Sequence, residues 1–267
     1  MGDSLSALVW LIEAGADEAV GEVPVDRFAA KPAAVAKAAP AVKAAPVARP
    51  AVAAAPKVVA DPNDPIGEAI TRARGATSLA ELKAALESYE GCALKRSATN
   101  TVFADGNPES RVLFIGEAPG RDEDRQGLPF VGRAGKLLDK MMAAIGLDRS
   151  SAYITNVLNW RPPDNREPTP EEAAMCLPFL RRHIELVNPI VMILLGGTSV
   201  RHVMGMSDGI MKTRGRWLEY NVGGAMVPVM PTLHPAYLLR QPAHKKLAWR
   251  DLQAVERRIA SVDKTGT

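Results

Sequence analysis

From residue 64 onward the apolar positions alternate between two spacings. Helical spacing marks residues 66–75, 78–90, 132–145, 169–187, 197–204 and 244–260. Between them stand short apolar runs at 111–116, 152–158 (AYITNVL), 190–195 (IVMILL) and 226–231, the length of buried strands. Ser78 followed by Glu81 has the spacing of a capping box and sets one helix start. Strands separated by helices imply parallel crossovers and a sheet covered on both faces. The pattern predicts an α/β fold: a three-layer α/β/α sandwich around a central, mainly parallel four-stranded sheet. This domain is expected over residues 64–262, with a short tail at 263–267.

The first 63 residues follow neither spacing for long. Leu5, Leu8, Val9, Leu11 and Ile12 share one helical stripe behind Ser4 or Ser6, so residues 1–28 read as an amphipathic helix segment. It could dock on the domain or on a partner. Residues 29–60 hold 16 Ala, 5 Pro and 5 Lys or Arg with no acid, and 29–63 therefore reads as an extended basic linker. A passive spacer and a weak, sequence-independent attraction to nucleic acid phosphates both fit it.

Composition adds limits. The whole chain is +3, but without the linker's five cations it carries 28 basic and 30 acidic residues, so the basic character belongs to the linker. No apolar run approaches the ~18–20 residues needed to span a bilayer. Asp3 stands where a signal peptide would carry positive charge, and Cys92 and Cys176 are too few for a disulfide framework. A cytoplasmic monomer is expected.

Ligands of open α/β sheets sit beyond the carboxyl ends of the strands. Three strands end there in unusual polar segments: GEAPGRDED, TNVLNWRPPDNR and TLHPAYLLR. The first is built like a phosphate cradle, but it lacks both G-x-G-x-x-G and the lysine and hydroxyl of a Walker A loop. It instead carries Glu117, Asp122, Glu123 and Asp124, which would repel phosphate. Carboxylates suit a reaction that develops positive charge or needs an activated water, and breaking a bond at an anomeric carbon does both. Asp122 and Glu123 read as solvated residues in the first turn of a helix. Glu117, in the turn between Gly116 and Gly120, reads as part of the site.

GEAPG-x-x-ED followed by G-x-PFVG-x-AG-x-LL, then YITNVLNWRPP and HPAYLLR, resembles the uracil-DNA glycosylase superfamily, specifically its family 4. The resemblance runs from about Tyr89 to the last helix. It implies a monofunctional glycosylase of base excision repair that hydrolyses the N-glycosidic bond of uracil, and of other deaminated bases, in DNA. The alternative is a damaged-DNA-binding module of the same fold that has lost turnover. A small-molecule enzyme acting on nucleosides is a third class, disfavoured by the leucine-bearing last loop.

The motifs assign roles by position. Asn156 would read the uracil edge, because a side-chain amide matches N3–H and O4 together. Phe130 would stack on the extruded base, and Gly116, Ala118 and Gly120 would let it approach. His234 would donate to O2 as the base leaves, with Glu117 as the catalytic carboxylate and Asp124 as its understudy. Leu238 or Leu239 would wedge the duplex and Arg240 would bind phosphate. Where family 1 gates against thymine with a tyrosine, this loop has Gly120, which implies a wider pocket. RPPDNREPTPEE contains no histidine, so no covalent link to DNA is expected.

Iron marks the departure from the pattern. Family 4 enzymes typically hold a [4Fe–4S] cluster on four cysteines, but here the corresponding segments read Cys92-Ala93-Leu94-Lys95 and Asn159-Trp160-Arg161-Pro162. Only Cys92 and Cys176 remain as remnant cluster positions. A cubane needs about four thiolates, so no cofactor is expected, with Lys95 and Trp160 filling the space.

Overall fold

The computed structural model describes residues 64–265, with side-chain surroundings through Ser261. The N-terminal stripe and the linker lie outside the described residues. The domain opens with two helices whose starts the sequence encodes. In α1 (Pro65–Gly75) Asp64 accepts from the Ile66 N–H at 3.0 Å. In α2 (Leu79–Glu87) Ser78 accepts from the Glu81 N–H at 3.2 Å. The Glu81 carboxylate reaches back to the Thr77 N–H at 2.7 Å, one residue short of a closed capping box.

A single helical turn, α3 (Leu94–Ser97), leads to β1 (Asp105–Gly106) and β2 (Val112–Gly116). Then come α4 (Arg121–Gln126), α5 (Arg133–Ala143) and β3 (Tyr153–Asn156). The long α6 (Pro170–Val187) begins in a complete capping box, with Thr169 and Glu172 exchanging bonds of 3.2 and 2.9 Å. It ends at Asn188 in the left-handed region (φ 46°), a conformation that asparagine tolerates. β4 (Val191–Leu195), α7 (Gly197–Met204) and the short α8 (Ile210–Thr213) follow. The chain closes with β5 (Leu218–Val222), β6 (Ala225–Thr232), α9 (Pro235–Arg240) and α10 (Lys245–Thr265).

The sheet has six strands in the order β1-β3-β2-β4-β6-β5. Its inner four, β3-β2-β4-β6, are the predicted parallel strands, and the sandwich is as expected. The count of four is corrected by two antiparallel edges. β1 pairs with β3 over two residues, and β5 forms a hairpin with β6. Both escape an apolar-run search because an edge strand need not be buried on both faces. β5 alternates partly buried and exposed positions, and Asp105 and Gly106 have no apolar side chain at all.

Alternation along the strands builds two cores. Leu113, Ile115, Met192 and Leu194 face one way, toward α1, α2 and α6. Val112, Phe114, Ile193 and Leu195 face the other, toward α5 and α10. Each such side chain, fully buried, contributes about 1.5–3 kcal/mol. α10 runs past the predicted end at 262, and Asp251 ties it down from inside. The Asp251 carboxylate accepts from Thr232 Oγ1 at 2.7 Å and is paired with Arg214. Among the described residues no helix is long and apolar enough to cross a membrane.

Candidate active site

β2 lies between β3 and β4, so the chain's crossovers diverge on either side of its carboxyl end. A crevice opens at such a switch point. Here it is a cavity of about 490 Å³. Glu117 follows β2, Asn156 ends β3, and His234 stands two residues beyond β6; all three line the cavity, with Ala118, Gly120 and Phe130. Arg240 lines it as well.

Asn156 is buried, and its Oδ1 has no hydrogen-bond partner among the described residues. Leaving a buried acceptor unsatisfied costs about 1–3 kcal/mol, so the group is poised for a ligand donor. Gly116 does not line the cavity; it makes room behind it. A Cβ there would stand 2.4 Å from Asn156 Oδ1 and 2.5 Å from Phe130 Cζ. Phe130 itself is buried and held at φ 56°, a left-handed conformation costing a non-glycine residue roughly 1–2 kcal/mol. Its ring centroid lies 5.6 Å from that of His234.

His234 caps α9, accepting the Ala236 N–H on Nδ1 at 3.1 Å. An accepting Nδ1 places the ring proton on Nε2. Removal from bulk water, aided by the charge of Arg240, drives its pKa down to about 4. The ring is thus a neutral Nε2–H donor at physiological pH. Glu117 shifts the opposite way. Burial pushes its carboxyl above the usual range, the Thr198 hydroxyl pulls it back, Glu167 adds to the rise and Arg201 opposes it.

Two acids of α4 sit otherwise than expected. Glu123, taken as solvated, accepts the Gly120 N–H at 3.1 Å on one oxygen. Its other oxygen takes the N–H groups of Val131 and Gly132 at 3.0 and 2.9 Å. It staples the GEAPG loop to the segment carrying Phe130. A side chain at Gly120 would strike this staple, since a Cβ there comes within 2.7 Å of Glu123 Oε2. Asp124, the expected understudy, is buried elsewhere and accepts from the N–H groups of Thr99 and Asn100 at 2.7 and 3.1 Å. Adjacent helical residues point about 100° apart, so only one of the two can meet the cavity loops.

The leucine pair divides as well. Leu238 is 1% exposed and packs in the core beside α5 and α10, which corrects its place as a wedge. Leu239 is 37% exposed and remains free for that part. Three further residues at the site escaped sequence reasoning. Thr198 carries no motif signal, Tyr237 stands inside HPAYLLR without having been given a part, and Arg166 ends the RPPDNR segment, where it grips Glu172 at 2.6 and 2.9 Å.

The family model of the uracil DNA glycosylase superfamily matches residues 103–253. The chain belongs to that superfamily. Within it, the chain is 43% identical to a type-4 uracil-DNA glycosylase of Thermotoga maritima over 176 residues, 66% of this chain and 90% of the relative. It is 43% identical to the type-4 enzyme of Archaeoglobus fulgidus over 62% of this chain and 85% of that one. With the type-4 enzyme of Sulfurisphaera tokodaii the identity is 38% over 67% and 83%. The residues matched by the superfamily model, 103–253, include all three strand-end loops of the cavity.

The residues present do not fit the four-thiolate cluster that this branch implies. Cys92 and Cys176 are the chain's two cysteines, both buried and in mutual contact. The hydrogen bond from Cys176 lowers the Cys92 thiol, and the same contact with burial raises Cys176. Lys95 turns its ammonium to the Glu87 carbonyl and the Glu90 carboxylate. Trp160 fills core space, 1% exposed, with its indole N–H on Thr101 Oγ1 at 3.0 Å. An ammonium and an indole supply no thiolate.

Proposed function

We propose that the chain is a monofunctional uracil-DNA glycosylase acting in DNA repair, which excises uracil from DNA and leaves an abasic site. The observation that carries this is the unpartnered, buried Asn156 Oδ1 in the cavity beside Phe130. Uracil offers N3–H to that oxygen and O4 to the amide nitrogen. Cytosine presents the reversed pattern and would leave both groups unpaired, a mismatch worth as much as 10⁴–10⁵-fold in specificity.

The base must leave the duplex stack to enter the cavity, at a cost of a few kcal/mol. Leu239, exposed beside the cavity-lining Arg240, is the candidate wedge, and Arg240 the phosphate contact. As the C1′–N1 bond breaks, its electron pair passes to the base and negative charge gathers on O2. His234, neutral with its proton on Nε2, donates there without itself giving up a proton. Preorganised donors aimed at developing charge are among the larger catalytic effects. Water adds to C1′ of the cationic sugar and loses a proton. Glu117, made more basic by burial, takes that proton or balances the sugar's charge.

The same reading extends to other deaminated bases, because Gly120 puts no side chain in the cavity, and to activity without iron. The enzyme is a monomer whose DNA ligand is met in the cytoplasm. Base release from an oligonucleotide with one uracil, scored by alkali cleavage, tests the reading with wild type, Glu117→Gln and Asn156→Ala. Release by wild type that falls by orders of magnitude in both variants supports it. Tight binding without release supports a damaged-DNA-binding module, and stoichiometric iron and sulfide in anaerobically purified protein would overturn the iron-free part.

A further inference from the structure

We infer that Arg149 is a positioning residue for the base-stacking ring, holding Phe130 in its left-handed conformation from outside the cavity. The inference rests on the glycosylase reading and deepens it. Arg149 lies in the turn before β3, 19 residues from Phe130 in sequence. Its Nη2 donates to the Phe130 carbonyl at 2.5 Å and its Nη1 to the Pro129 carbonyl at 3.2 Å. Nε donates to Asp139 at 2.9 Å, and Nη1 also meets the Asp105 carboxylate. Two acids thus aim the fork that two backbone carbonyls receive.

The opposite edge of the same segment belongs to Glu123, which takes the N–H groups of Val131 and Gly132. Residues 129–132 are therefore gripped by a guanidinium on their carbonyls and a carboxylate on their amides. The Phe130 carbonyl is also pressed against the start of α5, where a Cβ on Gly135 would lie 1.6 Å away. A residue at φ 56° relaxes toward negative φ when such constraints are lifted, and this peptide rotation would carry the ring off its place beside Asn156 and His234. The parts come from four places in the fold. Asp105 is on β1, Asp139 is on α5, Glu123 is on α4, and Arg149 is in a turn that Asp148 secures by accepting from Ser150 and Ser151. A lysine cannot reproduce the fork, because a single ammonium does not present paired donors in a fixed plane.

The test is a double-mutant cycle on single-turnover uracil release, using wild type, Arg149→Met, Phe130→Leu and the double variant. DNA affinity and melting temperature are recorded for each, and the assay runs well below every melting point. Arg149→Met is expected to slow release about 10–100-fold, the scale of an ångström of misplacement, while DNA affinity stays within about twofold. In the Phe130→Leu background the same change is expected to cost less than about threefold, because the ring it positions is gone. Arg149→Lys, which keeps the charge, is expected to fall between wild type and Arg149→Met, and it replaces the latter in the cycle should Arg149→Met fail to fold. Losses that multiply independently, or a lowered melting point with unchanged release rate, would overturn the inference while leaving the glycosylase reading intact. A wild-type chain that releases no uracil would overturn both.

Discussion

Gly116→Ala separates what the fold needs at the end of β2 from what the base needs. The new methyl would stand 2.4 Å from Asn156 Oδ1 and 2.5 Å from Phe130 Cζ. Carbon atoms rest at about 3.5–4.0 Å, so the Asn156 amide and the Phe130 ring must each withdraw by about 1 Å. The strand backbone at Gly116 lies outside the positive-φ region, so alanine fits it without strain. Overpacking costs about 1–3 kcal/mol, and relief of glycine's backbone entropy returns about 0.5–1 kcal/mol. The net loss of about 1–2 kcal/mol lowers the melting temperature by roughly 2–8 °C. Catalysis should suffer far more. Displacement of about 1 Å is worth roughly 100-fold, or about 2.7 kcal/mol of transition-state stabilisation. Single-turnover uracil release at 25 °C beside a melting scan reads both quantities. Gly75→Ala is the control, since a Cβ at the end of α1 meets nothing within 4 Å. Release by Gly116→Ala within about threefold of wild type would show that the cavity absorbs the methyl, and would refute the claim that Asn156 and Phe130 act from the places they occupy.

Other expectations follow from named groups. The rate of uracil release should fall as pH drops through a value above the usual carboxylate range, because burial raises Glu117; Glu117→Gln should remove this acid limb along with most of the rate, and an unchanged limb would assign it to another group. Trp160→Ala removes a fully buried indole, so a cost of about 3–5 kcal/mol and a melting temperature lower by about 10 °C are expected, and a shift under about 3 °C would mean the core around Trp160 collapses freely. His183 and His234 stay neutral in the fold, burial lowering them to about 3 and about 4, whereas the unfolded chain protonates both below about 6.5. The unfolded state then binds more protons, so stability falls as pH drops from about 6.5 toward 4, by about 1.4 kcal/mol per pH unit for each histidine. Urea midpoints across that window should show this slope, and His183→Gln should remove one histidine's share of it.

Much of the fold was legible because burial on both faces writes itself into a strand. β2 and β4 read as unbroken apolar runs, and the three polar segments at strand ends marked the candidate site before any geometry. Edge strands carry no such signature, which hid β1 and β5. Within the site, motif spacing located Glu117, Asn156, Phe130 and His234, which the fold gathers around one cavity. It could not separate Glu123 from Asp124 or Leu238 from Leu239. Each pair is adjacent in a helix, and a rotation of about 100° decides which member meets the cavity side and which the interior.

The sequence by itself therefore determined the layered α/β architecture, the order of the loops and the absence of enough thiols for a cubane, since each depends on residue type and spacing alone. Tertiary structure decided which acid staples the two cavity loops, which leucine is exposed, and that a guanidinium 19 residues away grips the peptide of Phe130. Those outcomes depend on side-chain direction and on contacts between segments distant in the chain, and a single sequence encodes such contacts only through the packed fold.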